Sequence, residues 1–72
     1  MSEKAKIAEF VAFSIEMFAK AKHLSGAVVA SLFGKSGAIG YLVRGYDVLH
    51  TMGEAWLVAD MEDYLNVRGY AV

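Results

Sequence analysis

At 72 residues the sequence is predicted to form one domain over residues 1–72, and a domain of this size hides only about 60% of the surface of its unfolded chain. Its hydrophobic fraction of 57% is high, and without cysteine neither a disulfide nor a thiolate metal site can support the small core, so we expect self-association as a homodimer. The formal net charge of −1 removes the broad attraction to phosphate on which nucleic-acid binding depends.

The first predicted helix runs from Glu3 to about His23, with Ser2 as its N-cap. A second strip of small residues beside its main apolar face offers room for another helix, either from the same bundle or from a second copy. Acidic residues interrupt the segment, and its start lacks the pattern of a secretory signal, so we expect a cytoplasmic protein without a membrane span. Phe13 flanks the polar side, while the main face comprises Ile7, Phe10, Val11, Ser14, Met17, Phe18 and Ala21.

Two shorter helices are predicted next. Ser25 is the expected N-cap of a helix from about Gly26 to Phe33. The stretch from Gly34 to Gly37 then closes this helix with residues that tolerate left-handed backbone, and Ser36 offers a new N-cap. A third helix follows over about 37–46.

The fourth predicted helix begins in the polar stretch that joins it to the third. Thr51 and Glu54 have the spacing of a capping box, which predicts a helix from about Met52 to Val67, followed by a tail over residues 70–72. The apolar run from Ala55 to Ala59 leaves a short strand as an alternative. The predicted fold is therefore an all-α compact bundle of four short helices that self-associates.

The second and third helices are spaced like a helix-turn-helix motif. A recognition helix needs several basic or amide side chains to reach bases and phosphates. The third helix offers Arg44 alone, with Lys35 in the preceding turn. A DNA-binding regulator is therefore the alternative hypothesis rather than the favoured one, and nucleic acid is not an expected partner.

The stretch from Tyr46 to Glu54 is the only place where a histidine, an acid, a tyrosine and a hydroxyl occur together. Asp47 could fix the tautomer of His50 in an acid–base pair. However, no nucleophile with a base and an oxyanion donor can be assembled, and structural roles in capping and turns explain the same residues. We therefore predict a protein that is not an enzyme and has no metal or cofactor.

Aromatic residues with a polar edge are common at the energetic centre of protein interfaces. We therefore select three aromatic residues of the second half of the chain, together with the two polar residues that lack a clear structural role. The candidate interface residues are Tyr46, Asp47, His50, Trp56 and Tyr64.

Several short motifs follow one another along the chain: Leu24-Ser25-Gly26, Leu32-Phe33, Gly37, Tyr41-Leu42, Tyr46–Gly53, Val58-Ala59-Asp60-Met61 and Arg68-Gly69. Their order resembles that of a family of small bacterial proteins of unknown function. The resemblance covers nearly the whole chain, and its most specific part is the segment Tyr46–Gly53. It implies genes that lie beside those of ADP-ribosyltransferase-like toxins, and hence an accessory or antitoxin-like partner.

Together these observations favour a non-enzymatic protein–protein interaction module. Charged residues from Asp47 to Asp63 are all acidic, which would suit a basic surface on a partner protein. The apolar excess and the missing catalytic set point in the same direction.

Overall fold

The computed structural model describes residues 2–70, and this part of the chain forms five helices without a strand. The helices are α1 (Glu3–Lys22), α2 (Gly26–Ser36), α3 (Ala38–Arg44), α4 (Tyr46–Leu49) and α5 (Glu54–Val67). The predicted all-α bundle is confirmed. The strand alternative for residues 55–59 is wrong, because these residues lie in the first turns of α5 and bury Leu57 against the core.

The first two helices begin where serine was predicted to cap them. The Ser2 hydroxyl accepts a hydrogen bond from the Ala5 amide at 3.2 Å, and the Ser25 hydroxyl accepts one from Val28 at 3.1 Å. These bonds satisfy amides that have no partner inside the helix. α2 continues one turn beyond the predicted end, to Ser36, because the left-handed residue that ends the helix is Gly37, at φ 87°.

The polar stretch contains a helix that the sequence did not reveal. α4 is a single turn over Tyr46–Leu49, which raises the number of helices from the predicted four to five. The predicted capping box does not form, because the Thr51 hydroxyl donates to the Val48 carbonyl at 2.6 Å instead. α5 consequently begins after Gly53 with no side-chain hydrogen bond at its N-cap.

All five helices contribute to one core. The predicted face of α1 is confirmed at Ser14 and Phe18, whereas Ala21 is exposed. Ser14 is the buried polar residue, and its hydroxyl donates to the Phe10 carbonyl at 2.8 Å, so its burial leaves no donor unpaired. The buried apolar residues are Phe18, Ala19, Val29, Phe33, Ala38, Leu42, Leu49, Leu57, Met61 and Leu65.

α1 and α5 each end at a residue with left-handed backbone, His23 and Gly69 respectively. His23 closes α1 at φ 58°, and the next amide, of Leu24, donates to the Ala19 carbonyl at 2.9 Å. Gly69 closes α5 in the same way, with the Tyr70 amide donating to Leu65. Tyr70 packs against the core, so the prediction of a tail is wrong at this residue, and residues 71–72 lie outside the described part.

The hydropathy of the helices bears on membrane insertion. Within residues 2–70 no single helix is both long enough and apolar enough to span a membrane. α2 and α3 meet both criteria only when they are taken together, and the angle between them is 79°.

Candidate functional site

The predicted interface residues do not form one cluster. Tyr46, Asp47 and His50 lie on or next to α4, whereas Trp56 and Tyr64 lie on α5. The structure therefore divides the candidates between two places, and it adds a third that the sequence analysis did not select, a groove between α1 and α5.

At the first place, aromatic rings stack on each other. The rings of Tyr46 and His50 are parallel within 7° at 4.3 Å, and Phe10 of α1 meets the Tyr46 ring edge-on at 5.5 Å. One turn of α4 sets this spacing, because residues four apart share a helix face. The stack fixes α4 against α1.

The acid–base pair is not assembled at α4. Nδ1 of His50 lies 2.5 Å from the Tyr46 carbonyl, so that nitrogen donates to the backbone rather than to Asp47. Asp47 and His50 are both exposed, and within residues 2–70 no hydrogen bond joins them. The pairing of Asp47 with His50 that the sequence allowed is therefore not made in this structure.

The second place is the side of α5 that meets α3. The Tyr41 hydroxyl donates to Asp60 at 2.6 Å, and the Tyr41 ring stacks on Tyr64 at 4.5 Å. The Arg68 guanidinium covers the other side of Tyr64, 3.6 Å from the ring centre. The hydrogen bond to Asp60, together with burial, raises the pKa of Tyr41 to about 12.

The contacts with Tyr41 and Arg68 give Tyr64 a mainly structural role. Both of its ring faces are occupied, by Tyr41 and by Arg68. Sequence reasoning did not predict the bond between Tyr41 and Asp60, because a contact between residues 19 positions apart leaves no local pattern.

Trp56 lies on the outward side of α5. Its side chain is 46% exposed, and Val67, three turns further along, is 74% exposed. Asp60 and Asp63 lie between them at helical spacing, so the four residues form one stripe. We call Trp56, Asp60, Asp63 and Val67 the α5 outer face.

The third place is an open groove of about 460 Å³ between α1 and the first turns of α5. Phe13, which is 47% exposed, and Glu16 line a smaller adjacent pocket of about 200 Å³ that shares Met17, Lys20 and Glu54 with the groove. The sequence signal for this site was Phe13 itself, an aromatic residue beside the polar side of α1. We call this site the α1–α5 groove; its lining residues are Met17, Lys20, Ala21, Glu54, Ala55 and Val58.

Metal ligands do not converge in the described part of the chain. Across residues 2–70 no group of three or more histidine and acidic side chains is close enough to hold an ion.

A family model described as "Protein of unknown function (DUF3791)" matches residues 9–68, which contain most of α1 and all of α2 to α5. The match confirms the predicted resemblance to a family of unknown function. Comparison with curated proteins and with solved structures found no match.

Proposed function

We propose that this chain, which belongs to the DUF3791 family of proteins of unknown function, is a non-enzymatic module that binds another protein. The observation that carries the proposal is the exposure of Trp56, the single tryptophan of the chain, on the α5 outer face. Tryptophan brings a large apolar area and a polar edge to an interface at low entropic cost, which is why it dominates binding hot spots.

The charges around Trp56 indicate what kind of surface would bind there. Asp60 and Asp63 are three residues apart on α5, so their like charges repel each other. Asp60 already accepts from Tyr41, whereas Asp63 is exposed. A partner with an apolar pocket for the indole and basic residues at its rim would relieve this repulsion and exclude water.

The finer part of the proposal concerns the role of the complex. We expect an accessory or antitoxin-like function in the bacterial cytoplasm, in which the chain binds an effector encoded by a neighbouring gene. The support for this role is the sequence resemblance of the segment Tyr46–Gly53 and the motifs around it.

Co-purification tests the proposal. The chain and the product of its neighbouring gene are expressed together, and the complex is captured through a tag on either protein. Trp56→Ala and Asp63→Lys should each weaken binding at least about tenfold, because one removes the apolar anchor and the other reverses a charge. Val28→Ala is the matched control, since Val28 is 53% exposed on α2 and lies outside the α5 outer face.

No complex at micromolar concentrations, in either order of expression, would contradict the antitoxin-like role. A complex that Trp56→Ala and Asp63→Lys leave intact would contradict the assignment of the α5 outer face.

The alternative function, a helix-turn-helix regulator, draws on the bend of 79° between α2 and α3. The exposed part of α3 consists of Val43 and Arg44, because Ala38 and Leu42 are buried and Tyr41 is bound to Asp60. The regulator hypothesis predicts salt-dependent DNA binding that Lys35→Ala and Arg44→Ala abolish. A flat titration at low salt would eliminate it.

A further inference from the structure

The α1–α5 groove and Phe13 lie on the same side of α1, because Phe13 shares a helix face with the groove residues Met17 and Ala21. Phe13 projects from α1 with 47% of its surface exposed. The residues that line the groove beside it include two with small side chains, Ala21 and Ala55. We propose that the occupant of this groove is a second copy of the chain, with Phe13 of each copy seated in the groove of the other.

Helix geometry makes this arrangement self-complementary. Phe13 and Ala21 are eight residues apart, which is about 12 Å along α1, and Met17 lies midway between them. A two-fold axis passing beside Met17 sets two α1 helices antiparallel and places each Phe13 over the hole between Met17, Lys20 and Ala21 of the other copy. A single axis therefore fills both grooves at once.

The charges at the groove follow the same symmetry. Glu16 precedes Met17 in the chain and Lys20 follows it. Both side chains are exposed, and around the axis of α1 they lie on the same side of Met17. The two-fold axis that seats Phe13 brings Glu16 of each copy within about 3 Å, measured along the helix, of the level of Lys20 in the other copy. Two attractive pairs of opposite charge then flank the seated rings.

This inference is independent of the proposed partner binding, because it uses a different face of α5. Ala55 and Val58 line the groove, whereas Trp56, Asp60 and Asp63 lie on the α5 outer face. A dimer formed through α1 would leave the α5 outer face accessible.

Charge reversal followed by sedimentation tests the pairing. Glu16→Lys alone or Lys20→Glu alone sets like charges opposite each other in two places, and each should weaken the dimer about tenfold at low salt. Mixing the two variants should restore association as a heterodimer, because one copy then carries both lysines and the other both acids. Within each variant, residues 16 and 20 carry like charges that repel each other along α1, and mixing does not change this. Recovery of the dimer in the mixture can therefore come only from attraction between the two copies.

Asp63→Lys is the matched control, since it makes the same change of charge at an exposed site outside the groove. It should leave the dimer unchanged. A chain that stays monomeric from about 10 µM to about 1 mM would overturn the inference. So would a dimer that is insensitive to both single reversals, or a mixture of the two variants that stays monomeric.

Two further variants test the shape of the contact. Phe13→Ala removes the projecting ring, and Ala21→Gln fills the hole that would receive it. Both residues are exposed, so the fold should survive, as circular dichroism can verify. Each variant should weaken the dimer about tenfold or more, and unchanged dimerisation in both would overturn the seating of Phe13.

Discussion

Tyr41 shows how one hydrogen bond joins two helices. Its hydroxyl donates to Asp60 of α5, and its ring lies against Tyr64. A hydrogen bond to a charged acceptor is stronger than one between neutral groups. The bond therefore fixes α3 against α5 at the point where Arg68 covers the far side of Tyr64.

Tyr41→Phe should lower the free energy of unfolding by about 1 to 2 kcal/mol at neutral pH, because it deletes this bond and leaves the ring in place. The pKa of Tyr41 rises from 10.0 to about 12 on folding, so the folded state holds the proton more tightly than the unfolded chain. The stabilisation is complete below about pH 10 and is lost as the pH approaches 12.

Urea denaturation of both proteins, at neutral pH and at intervals above pH 10, measures this difference. The stability gap between the wild type and Tyr41→Phe should shrink as the pH rises. A gap that is absent at neutral pH, or one that stays constant through pH 12, would contradict the assigned hydrogen bond.

Asp47 and His50 illustrate the limit of sequence reasoning at the residue scale. Their spacing allowed an acid–base pair, but a helical turn directs Nδ1 of His50 to the Tyr46 carbonyl. Local spacing cannot distinguish these outcomes, because Asp47 and Tyr46 lie three and four residues before His50 and both can reach it across one helical turn.

At the scale of helices, the starts of α1 and α2 were predictable because N-caps are local. The Ser2 and Ser25 hydroxyls each accept from an amide three residues further along the chain. The start of α5 was not predictable, because Thr51 had two possible partners, each three residues away, and its hydroxyl donates to the Val48 carbonyl that the turn of α4 presents. The single turn of α4 was too short to produce a hydropathy pattern.

Two glycines of one helical segment should respond oppositely to the same substitution. Gly34 is inside α2 with nothing within 4 Å of an added Cβ, so Gly34→Ala should stabilise the fold by about 0.5 to 1 kcal/mol. Gly37 has φ 87°, and its added Cβ would lie 3.3 Å from the Tyr64 hydroxyl. Gly37→Ala should therefore destabilise the fold by about 1 to 2 kcal/mol.

Thermal and urea denaturation of the two variants provide the comparison. Each variant serves as the control for the other, because the added methyl group is identical. Equal effects of the same sign would show that the left-handed turn between α2 and α3 is not required.

At the scale of the whole molecule, the structure shows where the apolar excess of the sequence reaches the surface. A 72-residue chain with 57% hydrophobic residues cannot bury them all, and among the exposed ones Phe13 and Trp56 are the large aromatics. They lie at the α1–α5 groove and on the α5 outer face. Composition predicted the surplus, whereas only the packing of the helices shows where it reaches the surface.

The fluorescence of Trp56 tests the central claim, partner binding at the α5 outer face, most directly. Trp56 is the only tryptophan, so in titrations with a tryptophan-free form of the partner its emission reports on this surface alone. We predict that saturating amounts of the neighbouring gene product shift the emission of Trp56 to shorter wavelength and protect it from a soluble quencher. Confirmed complex formation with unchanged emission and unchanged quenching would contradict the claim.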